Sequence, residues 1–298
     1  MLTYAYFPGC SMSTTGTTYR LSIEYICRKI GLQLLEIPDW NCCGATSGHS
    51  TGEWLGLALP ARNIAIAEQK LPGLDICVPC ASCYSRMKTA TMALRRDEET
   101  RKKISDIVGT GVYGKAEILT FMDILSDPEV KALCESAIVR KLSGLKVACY
   151  YGCLTSRPQS VTGQKNIERP MIMDELVAMA GAEPVDWDYK TECCGASHQV
   201  DAPSASRPLI ERILHNAKAN GARAIVTACP LCSLNLDMRE EEVNSMSKTG
   251  AYDLPVYQFT ELLAIAMGAT SKDVGLQKHF YPALKLINTT LRRAVLDI

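Results

Sequence analysis

Ten of the fourteen cysteines in this 298-residue chain fall into two sets of like order. In the first, Cys10 precedes the doublet Cys42-Cys43-Gly44, and Cys80 and Cys83 follow in Cys-x-x-Cys spacing. In the second, Cys153 precedes Cys193-Cys194-Gly195, and Cys229 and Cys232 follow. The intervening stretches are 31 and 36 residues in the first set and 39 and 34 in the second. The flanks repeat as well: Tyr6-Phe7-Pro8-Gly9-Cys10 is matched by Tyr150-Tyr151-Gly152-Cys153, and Cys42-Cys43-Gly44-Ala45 by Cys193-Cys194-Gly195-Ala196. A recurrence of this kind is an internal duplication.

Clustered thiols in a chain with no secretory features point to metal binding or redox chemistry before structural disulfides. A structural zinc takes four ligands in a closed tetrahedron, usually from two paired knuckles. Each set here has one Cys-x-x-Cys pair, a vicinal doublet and a distant single cysteine. Adjacent cysteines chelate one small ion only with strain, but they can reach different irons of a larger cluster, which favours iron–sulfur over zinc and leaves zinc open. Gly44 and Gly195 either let the backbone approach the sulfurs or serve ordinary turns. The Ala-Thr and Ala-Ser segments after them are expected to open helices whose N-terminal amides favour anionic sulfur. Cys27, Cys77, Cys134 and Cys149 stand outside the pattern among apolar neighbours and read as buried inert thiols.

The elements that must carry these motifs are legible. Leu2 to Phe7, Gln33 to Ile37, Leu74 to Val78 and Glu117 to Phe121 read as short buried strands, as do Leu145 to Tyr151, Pro184 to Trp187, Ala224 to Thr227 and Val256 to Phe259. Helical patterns between them are clearest over Thr18 to Ile30, Gly52 to Gln69, Ile172 to Ala180 and Pro208 to Asn220, the last capped by Gly221. The alternation argues an α/β fold in two tandem similar domains, each with a small, mainly parallel sheet flanked by helices. The expected division is 1–125, a linker over 126–143 that is charged and helix-like from about Asp123 to Lys141, and 144–298 with a helical tail from Pro282 to Ile298. Each motif follows a strand, so the thiols of each half converge on the carboxyl edge of its sheet, where open α/β folds place ligands.

The composition excludes several functions. Lys plus Arg (32) equals Asp plus Glu (32), so there is no basic field for nucleic acid. With 47% hydrophobic and 21% charged residues the chain reads as a globular protein. The N-terminus lacks a basic n-region and cleavage site, and no run approaches 18 apolar residues, so a cytoplasmic location without direct membrane insertion is expected. Gly109-Thr110-Gly111-Val112-Tyr113-Gly114 lacks the strand–turn–helix setting of a phosphate loop and reads as a plain loop.

The pattern Cys, Cys-Cys-Gly, Cys-x-x-Cys, present twice across nearly the whole chain, resembles the duplicated cysteine-rich CCG domain of the B-type subunit of heterodisulfide reductase. Pro8-Gly9-Cys10, Asn41-Cys42-Cys43-Gly44-Ala45 and the tail Gly275-Leu276-Gln277-Lys278-His279-Phe280 support it. The resemblance implies two noncubane [4Fe-4S] clusters facing one another across a substrate site. Cys10, Cys42, Cys43, Cys80 and Cys83 would hold one, and Cys153, Cys193, Cys194, Cys229 and Cys232 the other. It implies reductive cleavage of a small disulfide, in methanogens that of coenzyme M and coenzyme B, by two one-electron steps. Implied partners are a ferredoxin-like iron–sulfur subunit (C-type) and a flavin-containing subunit (A-type). The alternative is a non-catalytic electron-transfer or docking subunit, in which the clusters, or a zinc in one half, only wire or stabilise a complex.

Releasing two thiols needs two protons. His49 and His198 each follow a doublet by a few residues and are the candidate donors; the other reading is that each hydrogen-bonds a cluster sulfide or a helix end. His215 and His279 read as structural. The tail helix could dock a partner or pack on its own domain.

Overall fold

Strand side chains point alternately to the two faces of a sheet, so a strand buried on both faces feeds two separate cores. That is what the computed structural model of this chain displays. It describes residues 2–199, 201–247 and 250–296, apart from the side chains of 293–296. Strands β1 (Thr3–Tyr6), β2 (Gln33–Glu36), β3 (Ile76–Cys77) and β4 (Ile118–Leu119) form one parallel sheet in the order β2-β1-β3-β4. Strands β5 (Lys146–Tyr150), β6 (Glu183–Pro184), β7 (Ala224–Thr227) and β8 (Val256–Gln258) form a second in the equivalent order β6-β5-β7-β8. The duplication expected from the cysteines is thus a duplication of topology, and the α/β class is as read.

The two sheets share both cores. Tyr6, Cys77, Val147, Cys149 and Val226 face one apolar cluster, while Ala5, Ile76, Ala148, Tyr150 and Ile225 face the other. In the first cluster, helix α1 (Thr17–Ile30) of the N-terminal half packs on the helix Phe259–Ala266 of the C-terminal half. Tyr19 and Phe259 meet edge-on at 6.1 Å, and the Ser22 and Thr260 hydroxyls hydrogen-bond at 2.6 Å. The stretch 126–143 contributes to the same cluster. Its helix Pro128–Ala137 buries Val130 and Cys134, and Leu142 beyond it is buried too. The backbone amides of Val139 and Arg140 donate to the Ala266 carbonyl at 3.0 and 3.1 Å.

Helix α2 (Glu53–Lys70) follows the first doublet, and α3 (Ala81–Arg96) starts at the first Cys-x-x-Cys pair. In the second half α4 (Pro203–Ala219) follows the doublet and α5 (Pro230–Met246) starts at the pair. Helix α4 begins five residues before the expected Pro208, because Pro203 supplies the first-turn proline and Pro208 lies inside the helix. Residues 111–115 are loop, as read, and Gly109 caps the helix Glu98–Val108 in a left-handed conformation, φ +78°. The four cysteines outside the pattern are all buried, and burial raises each thiol above its ordinary range, Cys27 and Cys134 to about 12.

The tail helix spans Leu284–Leu296 and buries Leu286 and Ile287 in the first cluster; the last two residues of the expected tail, 297 and 298, lie outside the described ones. Charge ties down the segment ahead of it. His279, with 3% of its side chain exposed, sits 3.1 Å from Glu261 and 3.5 Å from Asp237, and Asp237 also accepts the backbone amides of Phe280 and Tyr281. Burial alone would disfavour the imidazolium, but Glu261 and Asp237 outweigh it and raise the group from 6.5 to about 10. Because the folded value lies above the unfolded one, the stabilisation is complete below about pH 6.5 and is lost as pH rises through about 10. Thermal melts across that window should therefore fall more steeply for the natural chain than for His279→Gln; parallel slopes would refute the charged clasp.

Candidate metal centre

The first cysteine of each set stands three or four residues past a central strand. β1 ends at Tyr6 and the chain enters a helical turn, Gly9–Met12; β5 ends at Tyr150 and Cys153 lies in a bend. The preceding glycines are left-handed, φ +67° at Gly9 and +69° at Gly152. A Cβ on Gly9 would stand 3.0 Å from the Cys83 sulfur, and one on Gly152 3.1 Å from the Cys232 sulfur. Both the backbone conformation and the sulfur behind it therefore disfavour a side chain, and they do so at equivalent places in the two halves.

The doublets are held by buried asparagines. Asn41 N–H donates to the Asn63 side-chain oxygen at 2.9 Å, and Asn63 Nδ2 donates back to the Asn41 carbonyl at 2.9 Å, which fixes the first doublet against α2. In the second half Asn235 of α5 donates to the Cys194 carbonyl at 2.8 Å, and the Tyr150 hydroxyl donates to the Glu192 carbonyl at 2.6 Å. The glycines after the doublets are left-handed, φ +75° and +77°. Their amides donate to sulfur: Gly44 N–H to Cys42 Sγ at 3.5 Å and Gly195 N–H to Cys193 Sγ at 3.3 Å. The two readings of these glycines are therefore met together, a left-handed turn and an amide on sulfur. The helices expected directly after them are short: a turn precedes Gly48–Thr51 in the first half, and Ala196–His198 is a single 3₁₀ turn in the second.

Cys80 and Cys229 occupy the N-cap positions of α3 and α5, which places Cys83 and Cys232 in the first turns. The thiols then form a chain. Cys43 and Cys83 sulfurs lie 3.1 Å apart. Cys83 interacts with Cys80, Cys80 with Cys229 of the other set, Cys229 with Cys232, and Cys232 with Cys194. Cys10 pairs with Cys42, and Cys153 with Cys193. The two sets are therefore contiguous at Cys80 and Cys229. Cys10, Cys42 and Cys193 are exposed, Cys153 is half-buried, and the other six are buried.

Donation of one thiol to another divides the protons unequally. Cys83 lowers Cys43 to about 7, against the burial that opposes it. Cys153, followed by the Gly195 amide and the charge of His198, lowers Cys193 to about 6 despite burial. Cys232 lowers Cys194, and Cys232 and Cys80 lower Cys229. Their partners Cys80, Cys83, Cys153 and Cys232 are raised in turn. Thiolates are the form that binds soft metals.

Among the described residues no group of three or more His, Cys, Asp or Glu side chains is arranged to hold a metal ion as it stands. The fit to an iron–sulfur cluster lies in the donor chemistry, five thiols per half of which Cys43 in the first and Cys193, Cys194 and Cys229 in the second are inclined to ionise, and in the glycine cradles at Gly9 and Gly152 that keep side chains off the sulfurs.

All five thiols of the second set line a cavity of about 520 Å³. The N-terminal half closes it with His49, Ala81, Ser82 and Arg86. His49 is exposed in the short helix Gly48–Thr51 after the first doublet and shares this cavity's wall with the thiols of the other half. His198 lies outside the cavity lining, 3.6 Å from Asp201. His215 meets Tyr252 edge-on at 6.3 Å, within α4, in a packing role. Residue types and spacing do not single out Asn63, Asn235, Arg86 or a buried network behind Cys153. There Tyr151 OH donates to Asp174 at 2.6 Å, and Lys190 Nζ reaches the same carboxylate at 2.6 Å. A lone Asn on an apolar helix face is the one signal that could have flagged Asn63.

Residues 4–88 and 147–237 match the cysteine-rich domain family, CCG. The chain is 31% identical over 287 residues to the 8-methylmenaquinol:fumarate reductase membrane anchor subunit of Wolinella succinogenes, covering 95% of this chain and 98% of that protein. It is 29% identical over 281 residues, 92% of each chain, to the B-type subunit of the ferredoxin/F(420)H(2)-dependent CoB-CoM heterodisulfide reductase of Methanosarcina acetivorans. It is also 29% identical over 278 residues to an Archaeoglobus profundus protein named as like the B-type subunit of heterodisulfide reductase, covering 90% of this chain and 91% of that one. A crystal structure of a hypothetical protein from Helicobacter pylori superposes with a TM-score of 0.69 over 94% of this chain and 52% of that one, at 13% identity, which speaks to the fold alone. No described helix is long and apolar enough to cross a membrane. The two matched copies, on two sheets of one topology, make this chain a member of the cysteine-rich CCG family, in the company of the B-type subunits of heterodisulfide reductases and other redox subunits.

Proposed function

We propose that this chain is the iron–sulfur subunit at which an oxidoreductase complex reduces a small disulfide or an analogous acceptor. In this reading Cys10, Cys42, Cys43, Cys80 and Cys83 hold one noncubane [4Fe-4S] cluster, and Cys153, Cys193, Cys194, Cys229 and Cys232 hold the second. When bound, each cluster supplies one electron at a time. The reaction RS–SR′ + 2e⁻ + 2H⁺ → RSH + R′SH breaks one S–S bond and forms two S–H bonds. The electrons come from partner subunits, a ferredoxin-like iron–sulfur protein fed by a flavin-containing one, and the protons from solvent through the cavity wall.

The observation that carries the reading is the contiguity of the two thiol sets at Cys80 and Cys229, beside a cavity lined by all five thiols of the second set. A wire needs no matched pair of sites. His49 reaches this cavity from the opposite half and can hold a proton for a leaving sulfur. His198 acts indirectly, its charge favouring the Cys193 thiolate. The buried Lys190–Asp174–Tyr151 network fixes the strand end that presents Cys153: the Tyr151 and Gly152 amides donate to the Lys190 carbonyl at 2.8 and 3.2 Å.

A second reading has its own support. The relative at 31% identity is named as the membrane anchor subunit of a methylmenaquinol:fumarate reductase, which favours an electron-transfer or docking role with a quinol in place of the disulfide.

Anaerobic purification followed by iron, sulfide and zinc analysis tests the centre. About eight irons per chain are expected for two four-iron clusters, and zinc with little iron would reject both clusters. Cys193→Ala should roughly halve the iron and abolish disulfide reduction while the other cluster stays spectroscopically visible; undiminished turnover would contradict the assignment. Oxidation of a quinol together with inertness toward every disulfide tried would favour the second reading.

The glycine cradle makes a separate prediction. Gly152→Ala should lower iron incorporation in the second half, because its Cβ would meet the Cys232 sulfur. Gly31→Ala is the control: it shares the left-handed backbone, φ +72°, but has nothing within 4 Å. It should cost about 1 kcal/mol of stability and leave iron content intact. Equal iron loss in both variants would mean that strain, not sulfur contact, is the cause.

A further inference from the structure

Arg86 stands one turn beyond Cys83 on α3 and is half-buried. Among the described residues it makes no hydrogen bond and no ion pair, unlike Arg95 on the same helix, which holds Glu117 at 2.8 Å and the Gly114 carbonyl at 2.6 Å. It lines the cavity that contains the second thiol set and also an adjoining chamber of about 750 Å³, whose wall includes Trp54, Leu57, Met92 and Val161. His49 is the other residue common to both, so His49 and Arg86 stand at the boundary, the neck, between the thiol cavity and the outer chamber.

A guanidinium drawn partly out of water with no protein partner is stabilised by any anion that meets it, and its planar fork suits carboxylate, sulfonate or phosphate. The carboxylates nearby do not meet it. Asp201 lies against His198, and Glu53 lines the outer chamber without pairing to Arg86. We propose that Arg86 is the specificity-determining residue of the thiol cavity: the acceptor that reacts there carries a carboxylate, sulfonate or phosphate group, seated on Arg86 at the neck. This inference rests on the cavity's being the acceptor site, and it separates anionic disulfides from uncharged quinones as its occupants.

Two measurements test it, the first independent of any cluster or turnover. In the anaerobic, cluster-free full chain, alkylation of Cys193 is followed by mass spectrometry with iodoacetate and with iodoacetamide, reagents of the same reactivity class that differ by a carboxylate. The rate ratio cancels the thiolate fraction and reports the local cation. Arg86→Gln should lower the iodoacetate-to-iodoacetamide ratio about two- to fivefold at low salt, Arg86→Lys should largely retain it, and high salt should erase the difference. An unchanged ratio in Arg86→Gln overturns the anion seat.

The second measurement uses the assembled complex with 3,3′-dithiodipropionate and its dimethyl ester. Arg86→Gln should raise KM for the dicarboxylate about tenfold with little change in kcat, and leave the ester unaffected. An equal rise for both substrates would reduce Arg86 to a structural role. If the complex reduces neither disulfide, the proposed reaction fails, while the alkylation ratio still decides whether the seat exists.

Discussion

Everything in this molecule follows from the requirement that two sheets bury both faces in common. A strand such as β1 sends Ala5 to one apolar cluster and Tyr6 to the other, and β5 does the same with Ala148 and Val147. Neither half can complete a core alone. The halves are consequently fixed by the hydrophobic effect, acting over large contiguous clusters, and not by a few surface contacts. The loops at the strand ends inherit that placement, which is how Cys80 of one half comes to touch Cys229 of the other. Two cysteine sets about 150 residues apart in a looser tandem would have no reason to meet.

The shared core also explains why the halves are alike in topology but unequal in chemistry. The buried ion pair belongs to the second half: Lys190 and Asp174 are 2% and 4% exposed and lie 2.6 Å apart, with the Tyr151 hydroxyl on the same carboxylate. A buried pair of this kind is costly to assemble and more costly to break, about 3–5 kcal/mol when one partner is removed. What it secures is orientation, since Lys190 offers its carbonyl to the backbone just ahead of Cys153. Among the described residues the first half carries no such network, and instead lends His49 and Arg86 to the cavity of its neighbour. Duplication followed by division of labour gives one cavity built by two copies.

Much of this was legible in the residue string, for identifiable reasons. All eight strands lie within or beside the stretches read as strands, because burial on both faces gives the central strands short apolar runs; the edge strands β2 and β6, also read as buried, are only partly covered. The ladders are shorter than those runs: β3 and β4 pair only through Ile76 with Ile118 and Cys77 with Leu119. The sixth strand lies at Glu183–Pro184, ahead of the apolar Val185 to Trp187, whose Trp187 packs on Tyr150 and donates to the Cys149 carbonyl instead of joining a ladder. Charge hid the role of 126–143, whose exposed face is acidic and basic while Val130 and Cys134 point inward. The thiol pairing could be read because spacing repeats. Asn63, Asn235 and Arg86 could not, since each acts through a neighbour supplied by the fold: a loop carbonyl, a doublet carbonyl, the wall of a second chamber.

Holding ten thiols together in a largely dry place sets an electrostatic problem that the sequence answers locally. Burial raises every thiol it touches, as Cys77 and Cys149 illustrate. Four of the clustered thiols escape that fate because the interaction with a neighbouring thiol outweighs burial. Cys83 lowers Cys43 and Cys153 lowers Cys193, the latter helped by the Gly195 amide, whereas Cys42 stays raised despite the Gly44 amide. A metal centre binds thiolates and displaces their protons, so its affinity depends on how many must be removed. With Cys43, Cys193, Cys194 and Cys229 already lowered, part of that work is done by the fold before any metal arrives. The left-handed glycines are the geometric half of the same solution: at Gly9 and Gly152 they keep the space beside Cys83 and Cys232 free of carbon, and at Gly44 and Gly195 they turn an amide toward sulfur.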